Sequence, residues 1–184
     1  MIITISGTPG SGKSTIAKVL ASRLEMKHFS AGDFMRKMAE ERGVSLKELT
    51  DESVDNYEID REIDERTKKL LEKEKDNFVI DARVAFYFIP DSVKIFLKVN
   101  AETAAGRIYN DLVNKKRIGE GEPKSKEEVL KSFMDRFEKE KIRYRKYYSI
   151  NYTNIVNFDL IVDTSGISIE EVLGRIIEFV EKIA

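Results

Sequence analysis

Met1-Ile2-Ile3-Thr4-Ile5-Ser6-Gly7-Thr8-Pro9-Gly10-Ser11-Gly12-Lys13-Ser14-Thr15 is the stretch whose reading decides the fold. Its first six residues form a β-branched, apolar run that stops at Gly7, and helical spacing begins at Ile16, Val19, Leu20 and Leu24. Strand, glycine loop and helix therefore follow in order. Between the two elements, Gly7 to Ser14 satisfies G-x-x-x-x-G-K-[ST] in the context that gives the pattern meaning. Glycines let successive backbone N–H groups turn inward around phosphate oxygens, and a helix opening near Gly12 adds the positive end of its dipole. Lys13 is expected to reach the β- and γ-phosphates of a nucleoside triphosphate, and the Ser14 hydroxyl to ligate Mg²⁺. A glycine turn that merely joined strand to helix would need neither the lysine nor the hydroxyl.

Outward from this loop, Lys27–Ser30, Asn77–Asp81, Val93–Val99 and Asp159–Asp163 read as further strands separated by long helical patterns. Parallel strands need such crossovers, so the alternation predicts an α/β fold. The segment 32–76 is too long for one crossover and reads as a helical insertion. It carries a capping box at Ser45–Glu48, with Asp64/Lys68 and Glu65/Lys69 expected as i,i+4 pairs on its solvent face. Ala101–Lys115 looks helical, and Lys115–Pro123 reads as a hinge. Ser125 and Ser168 open the last two helices with capping boxes, the first running to about Tyr148.

Composition narrows the chemistry. The 184 residues carry 32 Lys plus Arg against 33 Asp plus Glu, with 41% hydrophobic residues, one His and no Cys. One domain with a real core is expected. Disulfides, thiol nucleophiles and thiolate metal sites are excluded, and the single His28 reads as a strand residue with no chemical duty. A net charge of −1 speaks against a globally basic nucleic-acid binder. No apolar stretch reaches the length of a membrane helix, and the first residues lack the basic start of a secretory signal. The expected location is cytoplasmic, and the expected state a monomer without membrane or nucleic-acid partners. No Asn-Lys-x-Asp guanine signature or second ATPase cassette is present, so a small-molecule kinase is the economical reading of the phosphate loop.

The acceptor should bind beyond the carboxyl ends of the strands, where Gly7, Ser30, Asp81 and Asp163 converge. Ser30, Gly32, Asp33 and Arg36 start a helix that suits a second substrate's phosphate, with Arg36 as its clamp; read otherwise, Ser30 and Asp33 only cap the helix. Asp81 suits the water shell of Mg²⁺, and Arg83 points to the acceptor phosphate. Arg136, Glu140 and Arg143 share one face of the long helix, as phosphate or base readers or as an ordinary ion-pair ladder. Arg107 and Arg117 border the hinge, where closure would bring positive charge to the transferring group.

Taken together, these residues make the chain resemble the nucleoside monophosphate kinases, most closely the archaeal-type cytidylate kinases. The resemblance rests on GTPGSGKST, HFSAGDFMR, EIDREIDER, DSVKIFLKVNAETAAGRI, RYRKYY and DLIVDTSGISIEEV, in that order along essentially the whole chain. One departure is Asp81-Ala82-Arg83, where related enzymes usually have Gly before Arg. What the resemblance implies is a P-loop NTPase fold with a five-stranded parallel sheet flanked by helices, a monophosphate-binding insertion at about 32–76 and a short lid at about 107–123. It implies that CMP, and by extension dCMP, is phosphorylated from ATP with Mg²⁺ held through Ser14 and Asp81. Gly7, Thr8, Pro9, Gly10, Ser11, Gly12, Lys13, Ser14, Thr15 and Arg107 would bind ATP. Ser30, Gly32, Asp33, Arg36, Asp60, Arg83, Arg136, Glu140 and Arg143 would bind CMP. Lys13, Arg83, Arg136 and Arg143 would be catalytic. The alternatives are another acceptor, such as AMP, UMP or shikimate, and an adenylate-kinase-like RNA or ribosome-assembly factor using the basic stretches Lys115–Arg117 and Lys139–Lys146.

Overall fold

Alternating side chains on the first strand set the layering of the molecule. In β1 (Ile2–Gly7), Ile3 and Ile5 are fully buried toward one face of the sheet, while Thr4 and Ser6 are buried toward the other. The polar pair is satisfied there. Thr4 Oγ1 lies 3.0 Å from Ser92 Oγ, and Ser6 donates to the carbonyls of Ala82 and Arg83 at 2.9 and 2.6 Å. A strand buried on both faces must sit inside a parallel sheet. Five strands do pair in the order β2-β3-β1-β4-β5, all parallel, with β2 at Lys27–Ser30, β3 at Phe78–Asp81, β4 at Val93–Lys98 and β5 at Leu160–Asp163.

The computed structural model describes residues 1–114 and 125–183. Of the expected lid at about 107–123, residues 115–123, Arg117 among them, lie outside the described residues. Helix α1 (Lys13–Arg23) and the last helix, α8 (Ile169–Ile183), cover one face of the sheet; Ile16, Leu20, Leu173 and Ile176 pack on Ile3, Ile5, Ile95 and Leu97. The opposite face packs against α5 (Ala85–Phe88) and α7 (Lys126–Tyr148), chiefly through Phe86, Phe96, Tyr144, Tyr152 and Phe158. Helix α6 (Ala101–Val113) lies against α7 through Ala105, Leu112 and Val129.

Between β2 and β3 the insertion consists of α2 (Ala31–Arg42), α3 (Leu46–Glu52) and α4 (Tyr57–Lys73), around a small core of Met38, Leu49 and Ile59. The Ser45–Glu48 capping box is formed in both directions. Neither expected i,i+4 pair forms among the described residues: Glu65 is on the solvent face but pairs with Arg61 rather than Lys69. Asp64 is not on the solvent face of α4: it is only 7% exposed and turned inward, and the outer face carries Arg61 with Glu58 and Glu65, and Arg66 with Glu62.

This topology sets the site. With β1 flanked by β3 on one side and β4 on the other, the strand order reverses at its carboxyl end, which is where open α/β sheets bind ligands.

Candidate active site

The glycine loop leaves β1 in contact with β4. A Cβ at Gly7 would meet Leu97 O at 2.3 Å, and one at Gly10, whose φ is +73°, would meet Ala104 Cβ at 2.9 Å. Only glycine fits either place without displacing its neighbour. The loop is tied from outside as well. Arg107 donates to Thr164 Oγ1 at 3.0 Å and to Thr164 O at 2.5 Å, with its Nη1 3.5 Å from Gly10 O; Thr164 Oγ1 in turn lies 3.2 Å from Ser11 O. Arg107 thus braces the loop against the segment after β5. Thr164 was missed by sequence reasoning, although its position just past Asp163 at a strand end is the available signal.

Lys13 Nζ stands 3.3 Å from Asp81 Oδ2. Burial depresses the ammonium's pKa, and Asp81 offsets this only in part. Burial acts oppositely on Asp81, yet the Lys13 charge and the dipoles of His28, Ser14 and Ser30 overcome it, and the carboxyl is held well below the usual range. Sheet register explains the gathering, since Ser30 is the Cα partner of Asp81. His28 Nε2 is 3.7 Å from Asp81 Oδ1, so the lone histidine stands beside the site rather than apart from it.

Ser14 and Asp81 offer oxygen donors, and Asp81 Oδ1 accepts no hydrogen bond although fully buried. This donor set suits a hard cation. Among the described residues, no group of three or more His, Cys, Asp or Glu could hold a metal. Mg²⁺ here would draw its remaining ligands from phosphates and water, which is how that ion ordinarily binds.

Glu140 is the centre of the second half of the site. The carboxylate is 6% exposed; it accepts from Arg83 Nε at 2.8 Å and Nη2 at 3.3 Å, from Arg136 Nε at 3.1 Å, and from the Tyr152 hydroxyl at 3.1 Å. Burial would raise its pKa, but the charges of Arg83 and Arg136 hold it well below the carboxylate range. One buried anion therefore aims two guanidinium groups. Arg143, also buried, lies 3.4 Å from Asp60 and donates to the Ser53 hydroxyl and, at 2.9 Å, to the Tyr144 hydroxyl. These contacts, with Tyr147 donating to Val54 O at 2.9 Å and Tyr148 to Asp64 Oδ2 at 2.6 Å, join α7 to the insertion.

All of this surrounds one cleft of about 860 Å³, lined at one end by residues 8–15 and Arg107 and at the other by Gly32, Arg36, Asp60, Arg83, Arg136, Glu140 and Arg143. Asp33 and Ser30 are outside the lining. Asp33 is 61% exposed in its side chain and accepts from Arg36, while Ser30 is buried at the N-terminus of α2 beside Asp81. Sequence reasoning did not find Ser53, Asp64, Tyr148 or Tyr152. No helix among the described residues is long and apolar enough to cross a membrane.

Comparison with known proteins adds a family to this geometry. The sequence profile described as the cytidylate kinase-like family matches residues 2–166. A cytidylate kinase of Archaeoglobus fulgidus is 37% identical over 182 residues, covering 98% of this chain and 95% of the other. One of Sulfurisphaera tokodaii is 35% identical over 180 residues, covering 97% and 93%. The solved structure of a shikimate kinase from Bacteroides thetaiotaomicron superposes with a TM-score of 0.65 at 19% identity, covering 98% of each chain, which is a likeness of fold.

Proposed function

Because the chain belongs to the cytidylate kinase-like family, we propose that it transfers the γ-phosphoryl group of ATP to the phosphate of CMP, giving ADP and CDP. The observation that carries this reading is the composition of the cleft: a phosphate loop with Lys13 at one end and four arginines, Arg36, Arg83, Arg136 and Arg143, at the other. Two anionic substrates meeting head to head need that distribution of charge.

The chemistry asks for alignment rather than a base, since the acceptor phosphate is already ionised at neutral pH. An acceptor oxygen attacks Pγ in line as the bond from Pγ to the bridging β,γ-oxygen breaks, and the electron pair leaves with ADP. Residues 7–15 cradle the donor phosphates, with Lys13 exchanging part of its contact with Asp81 for the β- and γ-oxygens. Arg107 keeps the loop in shape. Arg36 and Arg143 hold the acceptor phosphate, and Arg83 and Arg136, aimed by Glu140, neutralise charge on the moving group. Mg²⁺ held near Ser14 and Asp81 would supply charge neutralisation between the donor phosphates. The same cleft accepts dCMP if the ribose 2′-hydroxyl is unread.

The test is product analysis with ATP and Mg²⁺ against CMP, dCMP, UMP, AMP, GMP and shikimate in separate reactions, with a no-acceptor control. CDP as the dominant product is the expected result. Turnover of another acceptor alone overturns the assignment of CMP, and hydrolysis without any acceptor overturns the kinase reading.

A further inference from the structure

Asp60, Asp64, Asp81, Asp111 and Glu140 line the cleft, and three of these five face a cation across the fold or along α7: Asp81 faces Lys13, Glu140 faces Arg83 and Arg136, and Asp60 faces Arg143. Asp64 differs. Among the described residues it forms no ion pair within 4.0 Å, and its one hydrogen bond comes from the Tyr148 hydroxyl to Oδ2, which leaves Oδ1 without a protein donor. A buried carboxylate with no cation is costly to keep, and such groups concentrate where they do chemistry or recognition.

Its surroundings specify what it could recognise. Asp60, Asp64 and Thr67 follow one another along the buried face of α4, so polar groups stand where an amphipathic helix would place its apolar stripe. Thr67 spends its hydroxyl on Ile63 O. Beside Asp64 the cleft wall carries aromatic rings: Tyr148, which bonds Asp64, has the Phe88 ring 5.8 Å and the Tyr144 ring 6.0 Å away, and all three line the cleft. The acceptor arginines lie in the same cleft. A planar ring with a hydrogen-bond donor on its edge, attached to a phosphate, fits this compartment.

Resting on the CMP reading above, we infer that Asp64 reads the exocyclic amine of the acceptor's base and thereby separates cytosine from uracil. Cytosine offers N4–H₂ to a carboxylate; uracil offers O4, so two acceptors would face each other. Tyr148 is then a positioning residue, since its hydroxyl occupies Oδ2, fixes the carboxylate and leaves Oδ1 for the base.

The experiment measures kcat and KM for CMP and for UMP at pH 7.5 with wild type, Asp64→Asn and Tyr148→Phe, together with the affinity of each nucleotide by calorimetric titration. With its oxygen taking the Tyr148 hydrogen bond, an asparagine presents its amide N–H₂ to the base, which donates to O4 of uracil and cannot accept from N4–H₂ of cytosine. The CMP-over-UMP ratio of kcat/KM should therefore fall by about tenfold or more in Asp64→Asn, through both a poorer CMP and a better UMP reaction. Tyr148→Phe should lower it by roughly a third of that on a logarithmic scale. If Asp64 only anchors α7 to the insertion, both nucleotides lose alike and the ratio stays put, which overturns the inference. A wild-type protein that phosphorylates CMP and UMP equally overturns the inference while leaving the kinase reading intact. A wild type that phosphorylates neither pyrimidine nucleotide overturns the CMP reading itself.

Discussion

Asp64→Asn should make this protein more stable at neutral pH. The Asp64 carboxyl is pushed up from its ordinary 3.8 to about 6, chiefly by burial and further by the Asp60 charge, against the opposing hydrogen bond from Tyr148 and the charge of Lys68. The folded protein thus holds this proton more tightly than the unfolded chain. Between pH 3.8 and 6 the native state binds more protons, so stability falls as pH rises through that window, and the loss is complete above about pH 6. A shift of about two powers of ten in proton affinity corresponds to a ceiling of about 3 kcal/mol. The carboxylate faces a cleft open to water, and screening leaves about 1 to 1.5 kcal/mol of that. Asparagine keeps the shape and accepts the Tyr148 hydrogen bond without the charge. Urea unfolding at pH 7.5, 6.0 and 4.5 should show the variant ahead by about 1 to 1.5 kcal/mol at the highest pH, near 2–6 °C in melting temperature. The gap should shrink to less than half of that by pH 4.5, as wild-type Asp64 takes up its proton. Other titrating groups cancel between the two proteins. A variant less stable at pH 7.5, or a gap that does not change with pH, would refute the account of Asp64 as an uncompensated buried charge.

Lys13→Ala should lower turnover by about two orders of magnitude or more while far-ultraviolet circular dichroism stays that of the wild type; near-normal turnover would sink the role given to the loop. Glu140→Gln removes the charge that aims Arg83 and Arg136, and leaves two cations close together. It should cost about 2–4 kcal/mol in denaturant unfolding and raise the KM for the acceptor more than that for ATP, and unchanged values for both would show that the arginines aim themselves. Gly10→Ala combines an unfavourable φ with the approach to Ala104 Cβ. The affinity for ATP should weaken by about tenfold with the melt nearly unmoved, and an unaltered affinity would mean that the loop relaxes freely.

Much of the architecture was legible because it rests on short-range rules. The β1–loop–α1 unit, the five strands and the Ser45, Ser125 and Ser168 helix starts lie within a residue or two of their expected places, since alternation and capping act over a few residues. Short elements escaped. The single-turn α5 and the 3₁₀ turn at Ile155–Asn157 are too brief to show a period, and their places are set by packing of Phe86 and Phe158 against β4.

At the site, what could be read was the loop and helix at one end of the cleft and several residues lining the other, Gly32, Arg36, Asp60, Arg83, Arg136, Glu140 and Arg143, and what could not was any pairing across the fold. On α4 the row Asp60, Asp64, Lys68 and Glu72 is charged at every fourth residue, so spacing alone matched Asp64 with Lys68 one turn away; its real partner, Tyr148, lies 84 residues along the chain. The same holds for Glu140, whose helix neighbour Arg136 was visible but whose contacts with Arg83 and Tyr152 came only with the fold. Spacing can place a charge on a face, but whether that face meets a cation, a hydroxyl or a cleft depends on which element folds over it. The distinction matters for the proposed function: Asp60, Asp81 and Glu140 each keep a cation in position, and in the proposed reaction a substrate phosphate would compete with them for it. Asp64 has no ion pair within 4.0 Å among the described residues, and on the inference above its Oδ1 would select among bases by hydrogen bonding.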